Sequence, residues 1–503
     1  MQGIGDWATR RAQLGGEKIA FVSEDRSWTY REFDDRTNRL ANQLRDRFGI
    51  RRGDRIAAVV PTSVECLEIL FAAAKLGAIF TPINVRLTAP EMAYVLGDLG
   101  ANLLFAHPAF PAAQRAAQEP GTYVREIVAL GDDYAALLDT ADPTPVTPIA
   151  ARHDVAVIMY TSGTTGRPKG AMITHENLRA NAAAVVSAFG LRACDVTVTA
   201  LPMFHIGGLG LYTLPFIYVG ARNVIMPSFD PAAVLAAVEA ERATQLLLVP
   251  TMWQAVMEVP DLERYDLSSL TCALTSGAPA PRPVLDFLAR SGIPFREGFG
   301  MTECSPSVAL LDSEYVREKA GSIGRPLFGI ETRLVDDADR DVPIGTVGEL
   351  LVRADNVFAG YWMRPEESAR ALRDGWFHSG DMGFADAEGF ITLVDRKKDM
   401  LISGGENVYS REVELAISAM PGIRAVAVVG APHEKWGETP VAYIVPDDRA
   451  KVTADAVIAF ARQRLAGFKT PTRVVFLDAL PTTATGKVQK NVLRDALSPK
   501  PSE

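Results

Sequence analysis

Along the first 330 residues, apolar positions follow two rhythms. Short unbroken runs recur: Arg55-Ile-Ala-Ala-Val-Val60, Ala78–Ile83, Asn102–Ala106, Val155–Tyr160, Val196–Leu201, Gln245–Val249 and the run opening at Cys272. Runs of this kind, bounded by turn residues, read as strands buried on both faces. Between them lie stretches with apolar residues three and four apart. Tyr30 to about Arg47 carries Leu40, Leu44 and Phe48 on one face, and Val64–Leu76, Glu176–Phe189 and Pro231–Arg242 read alike. Thr29 is suited to cap the first of these helices, and Gly77 to end the second. Strand alternating with helix predicts an α/β fold of doubly wound, mostly parallel sheets. Ligands in such sheets gather beyond the carboxyl ends of the strands. The segments ending at Thr161, His205, Pro250, Ser276 and Phe299 are therefore expected to face one crevice.

From about Thr332 the texture changes. Thr332–Asp336, Gly348–Arg353 and Gly389–Val394 are short strands separated by turns, predicting a small β-barrel over about 330–395. The charged run Arg396-Lys-Lys-Asp399 then reads as a linker, and residues 399–503 as a small α+β domain. The expected layout is a large domain over 1–395, a hinge at 396–398 and a mobile C-terminal domain over 399–503.

Bulk properties narrow the class. In 503 residues, 48% hydrophobic and 22% charged content is that of an ordinary soluble globular protein. A net charge of −9 without a basic block argues against a nucleic-acid partner. The four cysteines, Cys66, Cys194, Cys272 and Cys304, are too dispersed for a zinc motif or a disulfide framework. No secretory leader and no apolar run of membrane-spanning length is visible, so a cytoplasmic protein is expected. Peripheral membrane contact and a homodimer are both compatible with the sequence.

The chemistry is concentrated in Thr161-Ser-Gly-Thr-Thr-Gly-Arg-Pro-Lys-Gly170, immediately after an apolar strand. Glycines let backbone N–H groups approach phosphate oxygens, the hydroxyls of Thr161, Ser162, Thr164 and Thr165 add donors, and Lys169 adds a positive charge. The string is not a Walker A loop, since no G-x-x-x-x-G-K-[ST] occurs. It resembles the phosphate loop of the adenylate-forming superfamily, which includes acyl-CoA synthetases, luciferases and peptide-synthetase adenylation domains.

Further strings carry the resemblance from the first strands to Lys487. Phe299-Gly300-Met301-Thr302-Glu303 resembles the element in which Thr302 bonds the α-phosphate and Glu303 holds Mg²⁺. Ser276-Gly277-Ala278-Pro279 stands where the family lines the adenine face. Gly375–Asp381 resembles the ribose segment, with Asp381 accepting from the ribose hydroxyls and Arg396 beside it as a second contact. Ser403-Gly404-Gly405 resembles the loop that admits the pantetheine arm of CoA, and Lys398 falls on the hinge position. Pro481–Lys487 resembles the loop whose lysine, here Lys487, bridges the substrate carboxylate and the α-phosphate.

The resemblance implies a two-step reaction. ATP and a carboxylic acid form an acyl-adenylate and pyrophosphate, and CoA then displaces AMP. Domain motion would gate the change of step. His205, Gly207, Gly208, Thr251, Trp253, Gly277 and Gly300 are the candidates for the acyl pocket. His205 stands where amino-acid-activating relatives carry an aspartate, which favours an uncharged fatty or aryl acid such as a cinnamate. Gly207, Gly208, Gly210, Gly277 and Gly300 are expected to leave room for more than acetate. Two alternatives stay open at this point: a ligase loading a carrier-protein thiol, and a non-catalytic nucleotide-binding protein on the same fold.

Overall fold

The computed structural model describes residues 3–24, 26–161, 167–397, 399–403, 406–447, 452–482 and 488–497. Ser162, Gly163, Thr164, Thr165, Gly166, Lys398, Gly404, Gly405 and Lys487 lie outside the described residues. The chain divides into two compact units, Met1–Thr332 with Val352–Phe377, and Arg333–Leu351 with His378–Glu503. Residues 333–351 and 378–395, expected in the large domain, group here with the C-terminal residues.

The first unit holds two sheets. In the six-stranded one the order is Glu126–Ala129, Leu103–Ala106, Arg55–Val59, Ile79–Pro82, Val155–Thr161 and Lys169–Thr174. All neighbours are parallel except the last pair, which is antiparallel. The second sheet has nine strands, from Arg325–Pro326 at one edge to Arg26–Thr29 at the other. Its central strands Val196–Thr199, Gln245–Leu247, Cys272–Ser276 and Phe295–Gly300 are parallel. This is the α/β architecture read from the run-and-helix alternation.

Local chemistry sets the element ends. Thr29 caps Tyr30–Asp46 through a capping box with Glu32, and Ser63 caps Val64–Leu76, which ends at Gly77 in the left-handed conformation. Val64–Leu76 is buried on every face, so it is a core helix rather than an amphipathic one. Its buried Lys75 ammonium is met by Asp34 Oδ1 at 2.8 Å, Asn38 Oδ1 at 2.7 Å and Thr9 Oγ1 at 2.8 Å. Burial lowers the Lys75 pKa, and Asp34 opposes the shift.

In the second unit, Ile423–His433 and Gly437–Pro446 form a long antiparallel pair within a five-stranded sheet. Helix Ser410–Ser418 buries Val413 and Ile417 against that sheet's core. The barrel expected over 330–395 is an open five-stranded sheet, a half-barrel, to which Trp376–Ala385 and Ile391–Arg396 belong. Among the described residues, no helix is long and apolar enough to cross a membrane.

Candidate active site

The phosphate-loop string does not join a strand to a helix. It joins two antiparallel strands, with Thr161 opposite Lys169 and Tyr160 opposite Gly170. Gly170 is required there, because a Cβ would lie 2.6 Å from Ile158 Cγ2 and 3.3 Å from Trp362 Cβ. The strand Lys169–Thr174 is bordered on its other side by residues 359–362. Met172 N–H donates to Gly360 O at 2.9 Å, Ala359 N–H to Met172 O at 2.9 Å, and Trp362 N–H to Gly170 O at 2.7 Å.

That bordering segment also holds Glu303. Phe358 N–H donates to Glu303 O at 2.8 Å, and the Tyr361 hydroxyl donates to Glu303 Oε1 at 2.9 Å. The Lys169 ammonium lies 5.5 Å from the Tyr361 ring centroid and forms an ion pair with Glu367. Lys169, the candidate phosphate cation, and Glu303, the candidate metal ligand, are thus both fixed from one stretch, residues 358–367. This stretch lies outside the motifs that carry the family resemblance. Its signal is the aromatic pair Tyr361-Trp362 followed by Pro365-Glu366-Glu367 in a turn-rich region.

Behind the strand, Tyr160 OH donates to Asp98 Oδ2 at 2.8 Å, and Arg364 Nη2 reaches Asp98 Oδ1 at 2.6 Å. Burial and then the Asp98 carboxylate push the Tyr160 phenol far above its ordinary value, so it remains a donor.

Phe299, Gly300, Met301 and Thr302 follow from a parallel strand into a short 3₁₀ turn, Thr302–Cys304. Gly300 permits a backbone crossing, since a Cβ would meet Pro306 O at 1.9 Å. Ser276 ends the neighbouring strand, opposite Gly298, and Gly277, Ala278 and Pro279 are exposed beyond it. Gly277 has a φ of +88°, and the Ala280 N–H donates to buried Glu297 Oε2 at 3.1 Å, pinning the end of that turn. These residues share the carboxyl ends of parallel strands, where such sheets bind ligands.

The acyl-pocket candidates separate. His205 is exposed, and its Nδ1 accepts from Gly207 N–H at 3.2 Å, which puts the imidazole proton on Nε2. Gly207–Thr213 is a π-helix, a rare form often found at functional sites. Thr251 is exposed, whereas Trp253 is buried with its indole N–H on Leu274 O at 3.3 Å. The expectation that glycines open space needs correction at three positions. A Cβ on Gly208 would meet Pro202 O at 2.2 Å, on Gly210 Ser305 O at 2.9 Å, and on Gly300 Pro306 O at 1.9 Å. Those glycines serve close backbone packing. At Gly277 the nearest atom is Val249 Cγ1 at 3.8 Å, so space remains there.

In the second unit, Asp381 and Arg396 face each other across an antiparallel pair, with Arg396 Nε 2.9 Å from Asp381 Oδ1. Asp381 is 4% exposed, so the ion pair holds its carboxylate in one orientation. Asp395 Oδ2 accepts from Ser410 Oγ at 2.7 Å, and Lys397 Nζ lies 3.1 Å from Glu349 Oε2 and 2.9 Å from Asp337 Oδ1. Burial lowers the Lys397 pKa, but the two carboxylates outweigh it and the net shift is upward. Ser403 is buried on a strand paired with Glu406–Val408.

The phosphate-loop string is set between antiparallel strands, with Lys169 and Glu303 each tethered beside it, an arrangement suited to a nucleotide's phosphates. Residues 8–362 match the AMP-binding enzyme family, and residues 412–487 its C-terminal domain. The chain belongs to that family and is an acid–thiol ligase, an AMP-forming acyl-CoA synthetase. It is 44% identical over 493 residues to a feruloyl-CoA synthase of an Amycolatopsis species, covering 98% of this chain and 99% of that one. Indoleacetate–CoA ligase of Aromatoleum aromaticum is 38% identical over 506 residues, covering 99% and 98%. Among solved structures, o-succinylbenzoate CoA synthetase of Bacillus subtilis with its acyl-adenylate superposes with a TM-score of 0.88 at 31% identity, covering 97% and 98%.

Proposed function

We propose that the acid is aromatic, of the hydroxycinnamate or arylacetate kind, and that Mg²⁺ accompanies ATP. The observation that carries the aromatic reading is the 44% identity, end to end, with a feruloyl-CoA synthase. An exposed His205 with its proton on Nε2 supplies a donor suited to an oxygen-bearing substrate.

On this reading the carboxylate attacks the α-phosphorus of ATP, and the bond to the bridging oxygen of pyrophosphate breaks. Thr302 bonds the α-phosphate, and the hydroxyls of 161–165 with Lys169 bear the departing charge. Lys487 neutralises the carboxylate–phosphate junction as negative charge builds. Asp381 and Arg396 hold the ribose, while Phe299, Gly300, Met301 and the turn Ser276–Pro279 line the adenine. CoA thiolate then adds to the carbonyl carbon and AMP leaves, the pantetheine arm passing Ser403, Gly404 and Gly405. The hinge is assigned to Lys398.

Glu303 fits Mg²⁺: it is a hard oxygen donor, and Mg²⁺ characteristically takes one or two carboxylates together with substrate phosphates. When bound, the ion would neutralise phosphate charge. Tyr361 meanwhile keeps the Glu303 carboxylate in one rotamer.

The test is kcat/KM for ferulate, cinnamate, indoleacetate, benzoate and fatty acids of graded length, with ATP and CoA. One of the aryl acids is expected to exceed every fatty acid by at least about tenfold, the scale that a matched pocket supplies. A fatty acid ranking first would refute the aromatic reading.

A further inference from the structure

The Lys169 ammonium is taken up in a way the ligase reading does not require. It is paired with Glu367, in the first turn of helix Pro365–Ala371. The Lys169 side chain is 13% exposed and that of Glu367 29%. A cavity of about 320 Å³ lies beside the pair, with Tyr94, Asp98, Arg167 and Arg364 also on its walls.

The three cations there each have a distinct partner. Arg364 is held by Asp98 at 2.6 Å and touches the Tyr94 hydroxyl at 3.4 Å, and Arg167 lies 5.6 Å from the Tyr94 ring centroid. Asp98 is committed twice over, since Tyr160 also donates to it. Glu367 is the more solvated carboxylate, and its partner is the cation expected to meet the polyphosphate. Of the two ion pairs described on these walls, Lys169–Glu367 is the one that can be exchanged at lower cost, because its carboxylate is already partly in solvent and recovers hydration when released.

Building on the ligase reading, we propose that Glu367 is the resident counter-ion of Lys169. It orients the ammonium when no polyphosphate is bound and competes with the β- and γ-phosphates for it, so that it weakens ATP binding and speeds pyrophosphate release. Glu367 acts through Lys169 and is a positioning residue. No covalent step is involved: one ion pair is exchanged for another.

The experiment compares wild type, Glu367→Gln and Glu367→Asp. The measurements are the Kd for MgATP by calorimetry without acid, and the inhibition constant for pyrophosphate in the forward reaction. Glu367→Gln keeps the shape and removes the charge, so both constants are expected to fall together by about two- to fivefold, the range of a solvent-accessible ion pair. Glu367→Asp restores the charge and should return both toward wild type. Constants that are unchanged or raised in Glu367→Gln, with the fold intact by circular dichroism, overturn the proposal while leaving the ligase reading untouched. A damaged fold in Glu367→Gln shifts the decision to Glu367→Asp and Glu367→Ser, whose order of affinity must follow charge. Wild type that binds no ATP and releases no pyrophosphate with any acid would instead sink the ligase reading, and this proposal with it.

Discussion

Tyr361→Phe deletes one oxygen atom and with it the 2.9 Å donation to Glu303 Oε1. The ring should stay where it is. It packs edge to face on Phe358 with ring centroids 4.9 Å apart, and Phe358 packs in turn on Phe377 at 5.4 Å. The backbone on both sides is tied independently, through Phe358 N–H to Glu303 O and Trp362 N–H to Gly170 O. No cavity forms, so stability should change little. The carboxylate, by contrast, loses its side-chain tether. A hydrogen bond to a charged group is worth about 1.5–3 kcal/mol, and half-burial places this one at the lower end. About 1.5 kcal/mol corresponds to roughly a tenfold loss in kcat/KM for ATP. The assay is pyrophosphate release across a Mg²⁺ titration. The expected outcome is a tenfold lower kcat/KM at limiting Mg²⁺, partly recovered at high Mg²⁺, with the melting temperature nearly unchanged. A variant equal to wild type at every Mg²⁺ concentration would mean that Tyr361 does not position Glu303 for the metal.

Two further outcomes follow from packing and protonation. Gly300→Ala places a methyl 1.9 Å from the Pro306 carbonyl oxygen, so the two strands must part, and a destabilisation of about 2–4 kcal/mol is expected in thermal denaturation; a variant melting with wild type would contradict the crossing. His175 is buried, its Nδ1 accepting from Ile4 N–H at 3.2 Å, and burial lowers its pKa from 6.5 to about 4 against the opposing pull of Asp154 and Asp6. Below pH 6.5 the unfolded chain takes up a proton that the folded chain refuses, so stability falls from pH 6.5 to about 4, by up to about 3 kcal/mol in all. His175→Asn keeps an acceptor and lacks the proton site, so urea denaturation should show its deficit against wild type shrinking across that window; a constant deficit would count against the burial argument.

Much of the architecture is readable because burial writes itself into composition. The run Val155–Tyr160 is a strand since both of its faces are covered, and Thr29 with Glu32 closes a helix end through side chains three residues apart. The glycines misled for a related reason. A glycine in sequence shows only that a Cβ is missing, not what fills its place, and at Gly208 and Gly300 a carbonyl oxygen does. The role of residues 358–367 was hidden because Tyr361, Trp362 and Glu367 act on Glu303, Gly170 and Lys169 from far along the chain. Nothing local distinguishes a glutamate paired with a distant lysine from a solvated helix carboxylate. The grouping of residues 378–395 with the C-terminal residues was hidden likewise, because the partners of Asp395 and Lys397, namely Ser410, Glu349 and Asp337, are non-local.

In an AMP-forming ligase reaction the acid's own oxygen becomes bonded to the α-phosphate of ATP. The decisive measurement is the turnover of the best acid with both carboxylate oxygens labelled as ¹⁸O, in the presence of ATP, Mg²⁺ and CoA, followed by mass spectrometry of the products. One ¹⁸O in AMP, one in the thioester carbonyl and none in pyrophosphate is the predicted result. Product AMP carrying no label, or label appearing in pyrophosphate or inorganic phosphate, would contradict attack at the α-phosphorus and the acyl-adenylate with it.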